Sequence, residues 1–336
     1  FRAPVGTGPF KLEKWDAGQQ IVLSKNEDYF AGAAKIDTII FKIVNDDNAK
    51  ALQLQSGELN LAQVTPKDAV IFENSTEYTV YKMTTSDYRG ILYNFWNEYW
   101  QENADLIPAI NYCIDRQAII DAVLLGNGQI GYGPLQKNKY NCEDVEKYEF
   151  NPDKANEAFL VAGCEKDEEG YWIRDGKRIG FTLNATPTDQ VRIDMAQIVA
   201  QQLNEAGVEA KANVPAEGID WGGQECCIIG WGSPFDADDH TYKVFGTDKG
   251  ANYSGYSNAK VDEYLTAARQ AEDEEVRKEQ YALFQQELAK TPAYTFFCYI
   301  DAMYIGANSI SGIDKDTVLG HHGVGIFWNI CDWTIQ

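Results

Sequence analysis

The chain has 336 residues, of which 44% are hydrophobic and 24% charged, an ordinary balance for a soluble globular protein. This length suits two compact lobes better than one. The formal net charge is −22, which argues against nucleic acid and anionic lipid as partners, since both require clustered Lys and Arg. No apolar run approaches the ~20 residues of a membrane-spanning helix.

The first part of the chain predicts alternating strands and helices. Runs of β-branched and aromatic residues predict four strands, at 20–23, 38–44, 59–64 and 78–83. Between the second and third strands, Asp46 and Asp47 predict the cap of a helix that stops at Gly57. This pattern is typical of an α/β lobe.

From about residue 88 the pattern changes, and longer helices separate the strands. Helical spacing of apolar residues and capping residues predict helices at 107–114, 116–125, from Asn151, and at 189–206, 260–271 and 274–290. Strands are predicted at 91–95, 179–184, 208–214, 226–231, 294–300 and 302–305. Asp175-Gly176 predicts the turn of a hairpin.

An ordered set of short motifs accompanies these elements. The motifs are GTGPFKLEKW at 6–15, NEDYF at 26–30, IDTIIF at 36–41, ALQLQSGELN at 51–60, DRQAIIDAV at 115–123, GPL at 133–135 and NYSGYSN at 252–258. Together they resemble the family 5 extracellular solute-binding proteins of peptide and nickel ABC importers. The resemblance implies an α/β, two-lobed periplasmic-binding-protein-like fold of type II. The first lobe would comprise 1–85 plus 295–336 and the second lobe 86–294.

The first motifs lie closer to the start of this chain than they do in the family. In the family this run lies well inside the mature protein, whereas here it starts at Phe1, without a Met. We therefore expect a C-terminal fragment in which the N-terminal part is missing, the first lobe is incomplete and ligand is bound poorly.

The resemblance also implies a function. It predicts the solute-binding component of an ABC importer, which captures a small ligand, with a peptide preferred, and delivers it to permease and ATPase subunits. A nickel or other metal chelate is the alternative ligand, and a hydrolase acting on peptides or oligosaccharides is the alternative of another class. No cofactor is expected. A monomer outside the cytoplasm is expected, in the periplasm or at the cell surface as a lipoprotein.

The best site candidate in the sequence is the segment GWGSPFD at 230–236, which follows a buried strand. Glycine allows close approach of a ligand to the backbone, and tryptophan offers a flat apolar wall with one N–H donor. We therefore predict ligand contacts at Gly230, Trp231, Gly232, Phe235 and Asp236. The alternative is that Trp231 fills the core of the second lobe.

Further candidate ligand contacts are Trp221, Tyr93, Arg89 and Thr186. The resemblance places the residues that hold the ends of a peptide in related dipeptide binders at Pro234 and Thr186, and neither carries the expected charge. The stretch from Trp231 to His240 is instead similar to nickel-chelate-binding members.

Metal-binding residues are less clearly indicated. His321-His322 could ligate a transition metal, although a flexible loop is the simpler interpretation. Asp236 or Asp238 could cap a helix that contains His240, which is a simpler interpretation of this acidic stretch than a metal site. The seven cysteines form no C-x-x-C pair; Cys142 with Cys164, or Cys298 with Cys331, could form disulfides, and free thiols are equally compatible.

Overall fold

The computed structural model describes residues 4–336; residues 1–3 of the predicted first lobe lie outside it. The chain forms two units. The first contains the residues up to Thr84 together with Ala302–Leu319 and Gly323–Gln336. The second contains Thr85–Asp301 and Gly320–His322. The second unit thus includes residues 295–301, which the sequence-based division assigned to the first lobe.

The strands of residues 4–336 are defined in chain order. They are β1 (Phe10–Asp16), β2 (Gln20–Lys25), β3 (Thr38–Lys42), β4 (Leu61–Val64), β5 (Tyr78–Tyr93), β6 (Gly128–Ile130), β7 (Glu165–Lys166), β8 (Trp172–Arg174), β9 (Lys177–Arg178), β10 (Gly180–Asn184), β11 (Glu209–Asn213), β12 (Cys226–Trp231), β13 (Tyr294–Ala307), β14 (Ile310–Ser311) and β15 (Thr334–Ile335).

The α-helices follow the same order. They are α1 (Asp47–Gln55), α2 (Pro66–Ala69), α3 (Glu98–Asn103), α4 (Ile107–Tyr112), α5 (Arg116–Leu124), α6 (Pro152–Val161), α7 (Gln190–Glu205), α8 (Ala237–Phe245), α9 (Ala259–Gln270) and α10 (Glu274–Lys290). Short 3-10 helices lie at Val70–Phe72, Ala104–Leu106, His321–Gly323 and Ile326–Asp332.

The first unit contains an antiparallel sheet in the order β1-β2-β3. Its helix α1 confirms the predicted cap, because the Asp46 carboxylate accepts a hydrogen bond from the Ala49 N–H. Gly57 follows the helix with a φ of 75°, a conformation that glycine adopts at low cost. β4 pairs antiparallel with the last part of β13, with Val64 opposite Met303.

The second unit is built on a mixed sheet in the order β11-β10-β12-β5-β13, with β6 also paired to β13. β10 runs parallel to both β11 and β12, whereas β12 and β5 are antiparallel. The register of this antiparallel pair places Trp231 opposite Tyr88 at one end and Cys226 opposite Tyr93 at the other.

Successive residues of β5 and β12 contribute to two different hydrophobic clusters. Ile91 and Tyr93 join the cluster that contains Trp100 and residues of α4 to α7. Tyr88 and Leu92 join the cluster that contains Phe245 and residues of α8 to α10. Because neighbouring strand residues point to opposite faces, both faces of this sheet are covered by helices, as an α/β lobe requires.

Most predicted elements are confirmed within a few residues, with two differences. β5 and β13 are single long strands where the sequence predicted interrupted ones. The sequence also left α8 open as a possible helix, and the structure forms it with Asp236 as the cap: the carboxylate accepts a hydrogen bond from the Asp238 N–H.

Candidate ligand-binding site

The site begins where β12 ends beside β5. After Trp231 the chain turns at Gly232, whose φ is 149° and whose hypothetical Cβ would lie 1.7 Å from the Ser86 carbonyl oxygen. A Cβ on Gly230 would lie 2.1 Å from Nη1 of Arg89. Both glycines are therefore required for close packing of β12 against β5. As ligand contacts, Gly230 and Gly232 stay predictions.

Asp87 lies at the centre of a polar cluster and is fully buried. Its Oδ1 accepts hydrogen bonds from Nη1 of Arg89 and from Nδ1 of His321, the latter at 2.7 Å, and its Oδ2 accepts one from the His322 backbone N–H at 2.9 Å. Burial alone would raise the pKa of Asp87, but the charge of Arg89 and the hydrogen bond from His321 outweigh it and hold that pKa well below its ordinary value. Asp87 is therefore an anion at neutral pH.

The two adjacent histidines lie directly on this anion. The His321 backbone N–H donates to the Gly232 carbonyl at 3.1 Å, which ties the histidine segment to the end of β12. His322 has a φ of 56°, a left-handed conformation that is unfavourable for a residue with a side chain. Such strain persists where the surrounding contacts impose it, and it is concentrated at functional sites.

The side chains of this cluster could hold a metal ion. Asp87, His321 and His322 each offer a ligand atom, and these atoms all lie within 4.8 Å of one another. Desolvation of the His322 ring, reinforced by His321, lowers the pKa of His322 to about 4. The His322 imidazole is therefore neutral at physiological pH, the form in which histidine binds metals.

Two buried guanidinium groups accompany the cluster. Arg89 is only 3% exposed and forms its ion pair with Asp87. Arg192, on α7, is 8% exposed, and its Nε lies 3.0 Å from Asp189 Oδ2 in an ion pair whose geometry does not make a hydrogen bond. Burial, followed by the charge of Arg89, lowers the pKa of Arg192. The unsatisfied Arg192 N–H can therefore donate to an anionic ligand group.

A column of stacked rings leads to the histidines. Trp221 stacks on Tyr253 at a centroid distance of 4.7 Å, Tyr253 on Trp231 at 6.1 Å, and Trp231 on His321 at 5.5 Å. The Trp231 Nε1 is buried without a hydrogen-bond partner among residues 4–336. Buried indole N–H groups usually have a partner, so this donor is available to a ligand.

The structure brings together some of the predicted site residues and separates others. Arg89, Trp231 and Gly232 surround Asp87 and the histidines, and Trp221 joins through the ring column. Arg89, predicted as a ligand contact, is buried in its ion pair with Asp87, and as a ligand contact it stays a prediction.

Tyr93 is a clear correction. It is fully buried in the hydrophobic core, where its hydroxyl hydrogen-bonds the Thr295 hydroxyl at 2.6 Å and its ring packs edge-on against Trp100. It therefore has no surface to offer a ligand.

Of the remaining predicted ligand contacts, one has a structural role and two lie outside the polar cluster. Asp236 caps α8 and forms an ion pair with Arg277 at 2.7 Å, so its carboxylate is already engaged. Phe235 is 76% exposed. Thr186 lies in the turn before α7, where its carbonyl accepts the Asp189 N–H. Phe235 and Thr186 as ligand contacts stay predictions.

The sequence does not predict Asp87 and Tyr253 as site residues. The sequence indicates both the GWG motif at 230–232 and the adjacent histidines as candidate site residues, but their spacing does not indicate that they are in contact. Asp87 lies between the strands predicted at 78–83 and 91–95, in a chain with 51 acidic residues, so no local signal distinguishes it.

Other groups that could have formed sites do not. His240 lies inside α8, 3% exposed, with Nε2 3.3 Å from the Pro134 carbonyl oxygen, and burial lowers its pKa to about 4. All seven cysteines are free, so neither of the two disulfides that the sequence allows is formed. In the part of the chain that the structure describes, no helix is long and apolar enough to cross a membrane.

Comparisons with known proteins agree on one family. The model for "Bacterial extracellular solute-binding proteins, family 5 Middle" matches residues 1–253. The oligopeptide-binding protein AppA of Bacillus subtilis (strain 168) is 31% identical over 319 residues, which is 89% of this chain. The chain spans 57% of the length of that relative.

Solved structures extend the likeness to the fold. NikZ from Campylobacter jejuni, in complex with Ni(L-His), superposes with a TM-score of 0.93 at 30% identity and covers 99% of this chain and 69% of its own. AppA from Bacillus subtilis, in complex with a nonapeptide, superposes with a TM-score of 0.82 at 28% identity, over 98% of this chain and 66% of its own. The predicted two-lobed periplasmic-binding-protein fold is thereby confirmed.

Proposed function

The chain belongs to the bacterial extracellular solute-binding proteins of family 5, and from this premise we propose that it is the solute-binding component of an ABC importer. Its partners are the permease and ATPase subunits of that importer. It acts as a monomer outside the cytoplasm, in the periplasm or at the cell surface as a lipoprotein. Binding shifts the population between open and closed forms only as far as the ligand prefers the closed one.

The ligand that this site fits best is a transition-metal chelate. The observation that carries the proposal is the pair His321 and His322 beside the buried Asp87, a group whose potential ligand atoms lie within 4.8 Å of one another. Imidazole nitrogen is a preferred ligand of nickel, copper and zinc. Two protein imidazoles leave coordination positions open, and a small organic chelator would fill them.

The surroundings of the histidines suit such a chelator. Arg192 has a buried N–H that finds no hydrogen-bond partner within residues 4–336, and this N–H can donate to a carboxylate of the chelator. The Trp231 indole N–H offers a second donor, and its ring an apolar wall. NikZ, described in complex with Ni(L-His), supports a cargo of this type.

The sequence-based preference for a peptide becomes the second candidate. It is favoured by AppA, which is described as oligopeptide-binding and has been solved with a nonapeptide. Against it, the positions expected to hold the two ends of a short peptide are Pro234 and Thr186, which carry no charge. The relatives give no support to the hydrolase alternative.

Isothermal titration calorimetry separates the candidates. Purified protein is titrated with nickel(II), nickel(II) plus L-histidine, L-histidine alone and a nonapeptide. We expect the nickel–histidine complex to bind most tightly, and the double variant His321→Ala/His322→Ala to lose at least 100-fold in affinity.

Glu279→Gln, an exposed change on α10, is the matched control and should bind as the parent does. Tight binding of the nonapeptide together with absence of nickel binding would replace the chelate by the peptide as cargo.

A further inference from the structure

We propose that Asp87 is a positioning residue that prepares His321 and His322 for the cargo and is not itself a ligand of the metal. The proposal rests on the proposed function, because it concerns the same site. Its basis is that both oxygens of the Asp87 carboxylate already accept hydrogen bonds, from three donors in all.

Both carboxylate oxygens already have partners. Oδ1 receives Nη1 of Arg89 and Nδ1 of His321, and Oδ2 receives the backbone N–H of His322. The residue is fully buried, so it cannot turn towards an incoming ion without breaking these bonds. A metal that recruited Asp87 would compete with three donors, two of which belong to the residues that must hold the metal.

The contact with His321 decides which ring nitrogen is free. The Asp87 carboxylate is paired with the Arg89 guanidinium and also receives the His322 backbone N–H, so its oxygens act as acceptors and the His321 nitrogen that faces them, Nδ1, is the one that donates. Nε2 then carries the lone pair and is the nitrogen available to a metal. A carboxylate that accepts from the second nitrogen of a metal-binding histidine is a recurrent arrangement, and it fixes both tautomer and ring orientation.

The contact with His322 acts on the backbone. Oδ2 holds the His322 N–H at 2.9 Å, in the residue whose φ of 56° is unfavourable for a side-chain-bearing amino acid. The carboxylate thereby helps to stabilise the conformation that brings the two imidazole centroids to 3.8 Å. One buried anion thus fixes the tautomer of one histidine and the backbone of the next.

Asp87→Asn is the sharpest test of this arrangement. An asparagine side chain has a similar shape but offers one acceptor oxygen and an NH₂ donor group, so it cannot satisfy all three donors. At least one of the contacts to Arg89, His321 or His322 must then be lost. We expect the affinity for nickel(II) plus L-histidine to fall 10- to 100-fold, as is usual for a lost partner of a metal ligand.

A double-mutant cycle shows whether Asp87 acts through His321. Asp87→Asn is measured in the parent and in a His321→Gln background, by calorimetry with nickel(II) plus L-histidine. We expect less than a 3-fold effect of Asp87→Asn when His321 is absent. An equal loss in both backgrounds would overturn the assignment to His321, because Asp87 would then act through His322 alone, on the metal directly or on the fold as a whole.

A measurement without metal keeps the test independent of the cargo. Nitrogen-15 NMR of the histidine rings in the metal-free protein reports the tautomer of each ring. We expect His321 as the Nδ1–H tautomer in the parent and a shift away from it in Asp87→Asn, with His240 unchanged as the internal reference. An Nε2–H tautomer in the parent would refute the proposal.

Calorimetry and NMR together distinguish a failure of the proposed cargo from a failure of the proposed role of Asp87. If nickel does not bind but the Nδ1–H tautomer is observed, the proposed cargo is wrong and the positioning of His321 stands. If nickel binds and the tautomer or the cycle disagrees, the cargo stands and Asp87 has another role.

Discussion

The two ends of the β5–β12 strand pair both contain buried side chains but differ in what these side chains do. At the Cys226 end, Tyr93 lies among Trp100 and other apolar side chains, with its hydroxyl satisfied by Thr295. At the Trp231 end, Asp87 and Arg89 are also buried, but they lie beside histidines and a tryptophan N–H that has no partner. Burial alone therefore does not distinguish core from site, whereas unsatisfied donors and free ligand atoms do.

The largest expected effect is on the free energy of unfolding, and it comes from a substitution at the Trp231 end of the strand pair. Gly232→Ala would place a Cβ 1.7 Å from the Ser86 carbonyl oxygen, at a φ of 149°. We expect a loss of about 4 kcal/mol or more in the free energy of unfolding, at the upper end of single substitutions. Urea unfolding measures it.

Gly133→Ala is the control for that change, since its Cβ would meet nothing within 4 Å. A Gly232→Ala protein as stable as this control would show that the strand end is not packed as described.

The next effect depends on pH and concerns buried His240. Its folded-state pKa is lowered to about 4 from 6.5, chiefly by burial, so the unfolded chain binds the proton first as the pH falls. Stability should therefore decline between pH 6.5 and pH 4, by up to about 1.4 kcal/mol per pH unit for this residue. His322 contributes in the same direction, and the lowered pKa of Asp87 acts below 3.8, outside this window.

Urea unfolding at pH 7, 6 and 5 checks this slope in the parent and in His240→Gln. The variant should be less stable at pH 7 and show a shallower decline towards acid. An identical slope would mean that His240 is protonated equally in both states.

A substitution of intermediate effect tests whether the Trp231 end of the strand pair binds ligand. Trp231→Ala removes the ring that stacks on His321 together with the unpartnered N–H. The loss of a central aromatic contact costs at least ~2 kcal/mol of binding free energy in many interfaces. Calorimetry with nickel(II) plus L-histidine measures it, and unchanged affinity in a folded variant would remove Trp231 from the site.

The smallest effect belongs to the opposite end of the same strands. Tyr93→Phe removes only the hydroxyl that bonds Thr295, so we expect a loss of about 1 kcal/mol in unfolding free energy. Binding of nickel(II) plus L-histidine should stay the same, because Tyr93 lies in the core. A change in affinity without a change in stability would return Tyr93 to the site.

Much of the fold was predictable because its signals are local. Asp46 before α1, Asn151 before α6 and Asp189 before α7 are capping residues, and each side chain accepts a backbone N–H at the start of its helix. The Asp175-Gly176 turn joins β8 and β9 as expected, with both residues at positive φ.

The site was only half predictable because it depends on long-range pairing. Trp231 could be identified from its motif, but its contact with His321 joins segments 90 residues apart in sequence, and the bond from His321 to Asp87 spans 234 residues. No local pattern encodes these pairings. Tyr93 was mistaken for a ligand contact because the register that sends it into the core is set by β12.

The most direct test of the central claim is an anomalous diffraction measurement at the nickel edge. Crystals would be grown from the full chain with nickel(II) and L-histidine. The account predicts an anomalous peak at roughly 2.0–2.1 Å from Nε2 of His321, the usual distance of a first-row metal from imidazole nitrogen, with Asp87 still bonded to Nδ1. A peak elsewhere, or a direct bond between nickel and Asp87 with His321 displaced, would contradict it.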